Sequence, residues 1–129
     1  MSNQDLKIIA ASILKTEANE LLQAADRVSE SIVDAAKLID NHNGKVMICG
    51  LGKSGKKKKK IAATFCSVGR KAVFLHAVDA LHGDLGIFEA GDPTIVISKS
   101  GSSEEIVRLI PILKEFESPL IGIVGLSLI

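Results

Sequence analysis

Four short apolar runs, separated by helical stretches, constrain the fold of this chain more than any other feature of its sequence. The runs lie at residues 45–49, 72–75, 94–97 and 120–124, and predicted helices at 57–68, 79–81 and 104–116 lie between them. Runs that are apolar throughout indicate strands buried on both faces, as in parallel sheets. The sequence therefore predicts an α/β fold, a three-layer sandwich with a parallel sheet and helices on each side.

Residues 1–43 depart from this pattern and are predicted to form a separate N-terminal helical segment. Residues 2–42 contain no Gly or Pro, and their apolar residues follow an alternating spacing of four and three: Leu14, Ala18, Leu21, Ala25, Val28, Ile32, Ala35 and Ile39. This spacing predicts one long helix, or two with a break at residues 24–29, that begins at a cap formed by Ser2 and Asp5. The apolar seam packs on the following domain or pairs with a second chain.

Length and composition indicate one globular domain and exclude several classes of partner. The chain has 129 residues, 47% of them hydrophobic, and five of its sixteen basic residues form the run 56–60. A broad basic face is missing, and the four Phe come with no Tyr or Trp, so nucleic acid is not an expected partner. The longest mostly apolar stretch, residues 119–129, is about half the length of a membrane span, and residues 1–20 do not resemble a signal peptide. We expect no membrane association, a cytoplasmic location, and reduced core thiols at Cys49 and Cys66.

Ligands of parallel α/β sheets bind at the carboxyl ends of the strands, which directs attention to the loops that follow them. The first loop, residues 50–55, reads GLGKSG and joins a strand to a helix. A dinucleotide site would need an acid where the next strand ends at His76, and an ATP-type phosphate loop would need Gly where Met47 stands. Two interpretations remain: anion binding by backbone N–H groups with Lys53 and Ser54, or a tight turn without a ligand.

The third loop, residues 98–105, reads SKSGSSEE and also opens a helix. A helix cap needs one serine, whereas this segment has four around Gly101. Small hydroxyl donors beside N-terminal amides suit a phosphate dianion, whose oxygens each accept several hydrogen bonds. The loop is therefore predicted to bind phosphate.

The second loop, residues 76–86, concentrates two histidines and two acids in eleven residues. His82 is a candidate general acid or base because its ordinary pKa lies near neutrality, and Asp84 either orients it or caps a turn. His76 is predicted to be structural. A third metal ligand is not evident, so no metal is expected.

These three segments resemble the sugar isomerase (SIS) domain family, and within it the arabinose 5-phosphate isomerase branch. The resemblance rests on residues 52–55 with 60–64, on the HGDLG of residues 82–86, and on the Ser-rich loop through Ile106. It implies a flavodoxin-type SIS core over residues 44–129, with a family pattern that continues past Ile129. It also implies a sugar-phosphate site formed by Ser54, Ser98, Ser100, Gly101 and Ser103, and a catalytic set of Lys53, His82 and Glu105.

The resemblance implies conversion of ribulose 5-phosphate to arabinose 5-phosphate, the first step toward the sugar acid Kdo, without a cofactor. Such an isomerisation needs a base that moves a proton between adjacent carbons and a cation that stabilises the enediolate. Glu105 is the candidate base, or else a first-turn acid that complements the helix dipole; Lys53 is the electrostatic partner and His82 the acid. The alternative is a non-catalytic sugar-phosphate sensor. As SIS domains form dimers and tetramers, we expect a homodimer or homotetramer.

Overall fold

The structure is a computed structural model that describes residues 1–50, 55–76, 84–98 and 104–125, with the backbone alone at 55–58, 84, 85 and 105. It divides into two compact units, Met1–Lys37 and Leu38–Ile129, which are described separately. The elements are helices α1 (Asn3–Asp40), α2 (Gly55–Ser67) and α3 (Glu104–Glu115), strands β1 (Val46–Gly50), β2 (Ala72–His76), β3 (Thr94–Ser98) and β4 (Leu120–Val124), and a 3₁₀ turn at Asp84–Ile87.

Helix α1 is continuous over 38 residues, so the prediction of one long helix holds and the alternative of two is wrong. Its N terminus is the predicted cap: Asp5 N–H donates to Ser2 Oγ at 3.1 Å, and Ser2 N–H donates to Asp5 Oδ2 at 3.0 Å. Two hydrogen bonds with Ser2 lower the pKa of Asp5. The one with the Ser2 backbone has the larger effect and the one with its side chain the smaller. No residue of α1 is buried. Among the described residues, no helix is both long and apolar enough to cross a membrane.

The four described strands form one parallel sheet in the order β2-β1-β3-β4. Pairing runs from Val46↔Ala72 to Gly50↔His76 on one side of β1, and Gly50 pairs with Ile97 on the other. Since the strands are in step, their carboxyl ends lie along one edge. The predicted strands match the observed ones to within one residue at each end.

Side chains of the sheet form an apolar core on each face, because successive strand residues point to opposite sides. Met47 and Cys49 of β1 belong to the cluster of α3, whose buried members are Ile106, Leu109 and Leu113. The alternate residues Val46 and Ile48 form the second cluster with Ala62 of α2. Helices on both faces confirm the predicted three-layer α/β sandwich.

The two cysteines differ in environment. Cys49 is fully buried, and desolvation raises the pKa of its thiol to about 12, which fits the predicted core thiol. For Cys66 the prediction is wrong, because this residue is exposed and its Sγ donates to the carbonyl of Ala72 at 3.4 Å. Cys66 lies four residues after Ala62, on nearly the same face of α2, but it is in the last turn of the helix beside the start of the edge strand β2, where the sheet covers it less.

Helix α3 ends in a left-handed cap occupied by Glu117, whose φ is 55°. Glu117 N–H donates to the carbonyl of Lys114 and Ser118 N–H to that of Leu113, which completes the helix end. A residue with a Cβ is strained in this conformation, so Glu117→Gly is expected to stabilise the chain by about 0.5–1 kcal/mol. Thermal unfolding should show a midpoint that is a few degrees higher. The control Glu115→Gly, at the last residue of α3, should lower the midpoint slightly. A lower midpoint for Glu117→Gly would contradict the strain.

Candidate functional site

The candidate site lies at the carboxyl edge of the sheet, where β1 and β3 are neighbours. Gly50 at the end of β1 pairs with His76 on one side and with Ile97 on the other, and Ser98 ends β3 one residue later. Neighbouring strands are about 4.8 Å apart. The chain therefore leaves the sheet at Gly50 and at Ser98 from adjacent strand ends, just before the two segments predicted to bind an anion.

The connections of β1 and β3 diverge from this point. The chain passes from β1 to α2, which packs on one face of the sheet, and from β3 to α3, which packs on the other. Such a divergence opens a crevice between the two strand ends, and ligands of open α/β sheets bind there. Helices α2 and α3 begin at Gly55 and Glu104, just after these loops, and a helix N terminus favours negative charge.

The structure locates part of the predicted site. Ser98, a predicted phosphate ligand, is the last residue of β3 and is half-buried. His76, which is predicted to be structural, is the half-buried last residue of β2 at the same edge. Glu105 is the second residue of α3, and its backbone lies in the first turn. The remaining predicted residues lie outside the described part of the chain, and their roles stay predictions: Lys53, Ser54, His82, Ser100, Gly101 and Ser103. Asp84 begins the 3₁₀ turn.

A second polar cluster, which sequence analysis missed, centres on Asp92, whose side chain is only 2% exposed. Lys45 Nζ lies 2.7 Å from Asp92 Oδ2, His42 Nε2 lies 2.8 Å from Asp92 Oδ1, and Glu89 N–H donates to Oδ2 at 3.2 Å. Burial by itself would raise the pKa of Asp92, but the hydrogen bonds from Lys45, His42 and Glu89 N–H outweigh it and hold the pKa below its ordinary 3.8. Burial would likewise lower the pKa of Lys45, but Asp92 and then Glu89 raise it overall.

This Asp92 cluster lies at the amino ends of the strands, since His42 and Lys45 precede β1 and Asp92 precedes β3. Arg70, before β2, donates to the carbonyl of His42. A Cβ on Gly44 would lie 2.6 Å from both Asp92 Oδ1 and His42 Nε2, so this close approach requires glycine. Ligands of such sheets bind at the opposite, carboxyl edge, so we assign this cluster a structural role. It holds the starts of β1 and β3 together. In sequence, Asp92 between Gly91 and Pro93 indicates only a turn.

Metal binding finds no support in the parts of the chain that the structure describes. Within residues 1–50, 55–76, 84–98 and 104–125, no three His, Cys, Asp or Glu side chains are grouped closely enough to hold an ion. The polar groups of the Asp92 cluster are already paired with one another. What the described part of the carboxyl edge offers instead is Ser98 and the N termini of α2 and α3, and helix N termini are suited to an anionic ligand.

The fold defines a doubly wound α/β domain in which the connections of β1 and β3 diverge at the carboxyl edge of the sheet. The sequence pattern of one family of this kind, described as the SIS domain, matches residues 37–128. The chain belongs to the SIS domain family. The expected resemblance to its arabinose 5-phosphate isomerase branch is also confirmed.

Curated relatives carry the resemblance to that branch. The arabinose 5-phosphate isomerase KdsD of Salmonella typhi is 40% identical over 121 residues, which are 94% of this chain and 37% of that protein. The arabinose 5-phosphate isomerase GutQ of Escherichia coli K12 is 41% identical over 112 residues, 87% of this chain and 35% of that protein. The chain thus spans about a third of the length of the curated relatives it matches.

Solved structures agree in fold. The protein c3406 of E. coli CFT073, in complex with arabinose 5-phosphate, is 35% identical and superposes with a TM-score of 0.81, covering 96% of this chain and 66% of that one. The phosphoheptose isomerase GmhA from Neisseria gonorrhoeae has a TM-score of 0.75 at 23% identity, covering 92% and 74%. At that identity the likeness shows the fold alone.

Proposed function

We propose that this chain forms the SIS part of an aldose–ketose isomerase that interconverts ribulose 5-phosphate and arabinose 5-phosphate. The observation that carries the proposal is the pairing of β1 with β3, from which the GLGKSG and SKSGSS segments both depart at neighbouring strand ends. Two curated relatives at about 40% identity are named arabinose 5-phosphate isomerases, and the c3406 structure was solved with arabinose 5-phosphate bound.

The phosphate of the substrate binds between the two helix N termini. Its dianion accepts hydrogen bonds from hydroxyls and backbone amides, and the positive ends of α2 and α3 add to the attraction. The donors are those of the two segments, Ser54, Ser98, Ser100, Gly101 and Ser103. Anchoring the phosphate there leaves the carbonyl end of the sugar near the first turn of α3.

Isomerisation moves one proton between the two adjacent carbons of the sugar, with no net gain or loss of atoms or electrons. Glu105 removes a proton from the first carbon and returns it to the second, while the C–O groups exchange alcohol and carbonyl character. Lys53 stabilises the negative oxygen of the enediolate, and His82 moves the hydroxyl proton from the oxygen of one carbon to the oxygen of the other, or acts on the ring oxygen when cyclic arabinose 5-phosphate opens. The chemistry needs no organic cofactor.

The product of this reaction is used in the synthesis of Kdo. The enzyme is cytoplasmic and assembles as a homodimer or homotetramer. Support for assembly comes from the apolar seam of α1, in which Leu14 is 66% and Leu21 73% exposed. Large apolar side chains exposed along one seam are typical of a helix that pairs with another.

Replacement of Ser100 tests the phosphate site. A hydrogen bond to a charged group contributes roughly 1.5–3 kcal/mol, so Ser100→Ala should raise KM for ribulose 5-phosphate by about 10- to 100-fold. The measurement is a coupled assay of the full chain. The matched control Ser102→Ala, at a position outside the family pattern, should change KM less than twofold. Equal effects of the two substitutions would contradict the assignment of Ser100 to the phosphate.

A further inference from the structure

The lysine run at residues 56–60 is the largest concentration of like charge in the sequence, and the proposed function does not use it. Elsewhere no more than two residues of like charge are adjacent. The run lies in the first turns of α2, where its five positions span about 6 Å of the helix axis at 1.5 Å per residue. The remainder of the chain has eleven basic and fifteen acidic residues, a net charge of −4. The run is therefore a positive region on an otherwise acidic chain.

No acidic residue offsets this charge in the helix that carries it or in the strands beneath. Helix α2 contains none, and neither do β1 and β2, on which it packs. The side chains of Lys59 and Lys60 are exposed, and neither makes an ion pair within the described parts of the chain. Lysines near a helix N terminus oppose the helix dipole, and like charges three or four residues apart repel each other. The run therefore lowers the stability of α2, and a nearby anion would offset that loss.

The lysine run lies beside the crevice where the substrate is proposed to bind. Helix α2 begins at Gly55, and the proposed phosphate position lies between the N termini of α2 and α3. The middle of the run is three residues into α2, so its charge lies roughly 10 Å from that position. This distance is close to the Debye length of about 8 Å at physiological ionic strength, so salt screens the attraction only in part. Helix α3 begins with Glu104 and Glu105, so α2 is the helix whose first side chains are positive.

We propose that the lysine run 56–60 draws the sugar phosphate into the crevice through long-range charge rather than through a contact with the phosphate. The inference rests on the proposed sugar-phosphate site and specifies what attracts the substrate to it. A phosphate ester carries about 1.5–2 negative charges at neutral pH, and the remainder of the chain, at −4, repels it. The phosphate does not change during the isomerisation, so the run attracts the ground state and the transition state equally. It therefore lowers KM and leaves kcat unchanged.

Charge reversal at the two exposed lysines tests the run. For a dianion at roughly 10 Å in water, Lys59→Glu with Lys60→Glu should raise the dissociation constant of arabinose 5-phosphate about 50-fold at 10 mM ionic strength. The increase should fall to about fivefold at 0.15 M and to less than twofold at 1 M, because the Debye length shortens from about 30 Å to about 8 Å and then about 3 Å. Titration calorimetry on the full chain measures the constant. In a coupled assay, KM should rise in parallel and kcat should stay the same.

The matched control makes the same change of charge at the opposite edge of the sheet. Lys71 precedes β2 and Lys114 lies in the last turn of α3, so both exposed lysines are at the amino edge. A five-residue strand separates them from the crevice by about 16 Å, which is twice the Debye length at 0.15 M. Lys71→Glu with Lys114→Glu should therefore change the dissociation constant less than twofold at that ionic strength. Equal effects of the two double variants would assign the attraction to net charge and overturn the role of the run.

Two further measurements separate lost attraction from lost structure. Glu at positions 59 and 60 replaces repulsion within α2 by attraction, so the ligand-free variant should unfold at the same temperature as the parent or higher. Weaker binding by a chain that is at least as stable shows that attraction was lost and not the fold. Lys59→Arg with Lys60→Arg keeps both charges and should keep the dissociation constant within twofold. A large loss in that variant would reveal a specific lysine contact and overturn the long-range role.

The readout by binding separates this inference from the proposed enzyme. If the parent and the Lys59→Glu, Lys60→Glu variant bind arabinose 5-phosphate equally at 10 mM ionic strength, the role of the run is wrong, whereas the sugar-phosphate site stands. A parent that binds with the expected dependence on salt but shows no turnover supports the role of the run and overturns the isomerase. A parent that binds no sugar phosphate at any ionic strength overturns both.

Discussion

Glu105→Gln is expected to lower kcat for the isomerisation of ribulose 5-phosphate by about 10²- to 10⁴-fold, the usual contribution of a general base. The amide keeps the size of the side chain but cannot accept the proton. Glu105 lies in the first turn of α3, immediately after the segment predicted to hold the phosphate. Binding of the sugar phosphate should change little, because the proposed role of Glu105 concerns the carbon atoms and not the phosphate.

Glu104→Gln is the matched control for this prediction. Glu104 is the adjacent residue at the start of α3, is exposed, and loses the same charge on substitution. Since both glutamates complement the N-terminal end of the helix dipole, a role limited to the helix would give both variants the same small loss of stability and no loss of kcat. A difference of two orders of magnitude in kcat between the two variants identifies the base.

Three outcomes of this comparison have distinct meanings. An active parent that loses nothing on Glu105→Gln has its base elsewhere, and Glu105 then serves the helix dipole. A parent that binds the sugar phosphate without turnover is a sensor, and in it Glu105→Gln would alter affinity alone. Loss of both turnover and binding would indicate that Glu105 holds the loop in place, because a base that acts only on the carbons does not control ground-state binding.

Periodicity and turn chemistry were sufficient to predict most of the fold. The predicted strand at 120–124 coincides with β4, and β3 extends the predicted strand by Ser98 alone. Each of these strands is a local apolar run bounded by residues that break it, so the signal lies within about five residues. The unbroken α1 follows from the same local rule, because nothing between residues 2 and 42 interrupts a helix.

Contacts between residues far apart in sequence could not be predicted this way. The hydrogen bond of His42 to Asp92 joins positions 50 apart, and each partner by itself resembles an ordinary loop residue. The exposure of Cys66 also depends on its place in the last turn of α2 beside the edge strand β2, which a cysteine within an apolar stretch does not reveal. Of the site, the sequence predicted the edge of the sheet and the order of the segments. The pairing of β1 with β3 added that the two strand ends from which the segments depart are neighbours.

Asp92→Ala is expected to destabilise the fold by about 3 kcal/mol, with a thermal midpoint lower by roughly 10 °C. Removing one partner of a buried ion pair typically costs 3–5 kcal/mol, because the other charge stays behind without compensation. The lower end applies here because the side chains of Lys45 and His42 are 17% and 23% exposed and can be partly hydrated. The free energy of unfolding from urea titration at pH 7 measures the loss.

Two further variants separate the Asp92 cluster from an ordinary surface ion pair. Glu89 also contacts Lys45, at 3.5 Å, but its side chain is 82% exposed, so Glu89→Ala should change stability by less than about 0.5 kcal/mol. Gly44→Ala should approach the loss of Asp92→Ala, since the added Cβ would lie 2.6 Å from both Asp92 Oδ1 and His42 Nε2. If Glu89→Ala and Asp92→Ala lower the free energy of unfolding by the same amount, the buried carboxylate of Asp92 stabilises the fold no more than an exposed one.

The dependence of the loss on pH identifies the charged pair as its source. The pKa of Asp92 is lower in the folded chain than its ordinary 3.8, so its stabilising contribution is complete above that value and disappears as the pH falls through the folded pKa. The pKa of Lys45 is raised, so its contribution is complete below the ordinary 10.5 and disappears as the pH rises through the folded pKa. The stability difference between the parent and Asp92→Ala should therefore be largest and flat from roughly pH 5 to pH 9 and shrink toward both extremes. A difference that stays constant down to pH 2 would assign the loss to packing, because protonation of Asp92 would then have removed nothing.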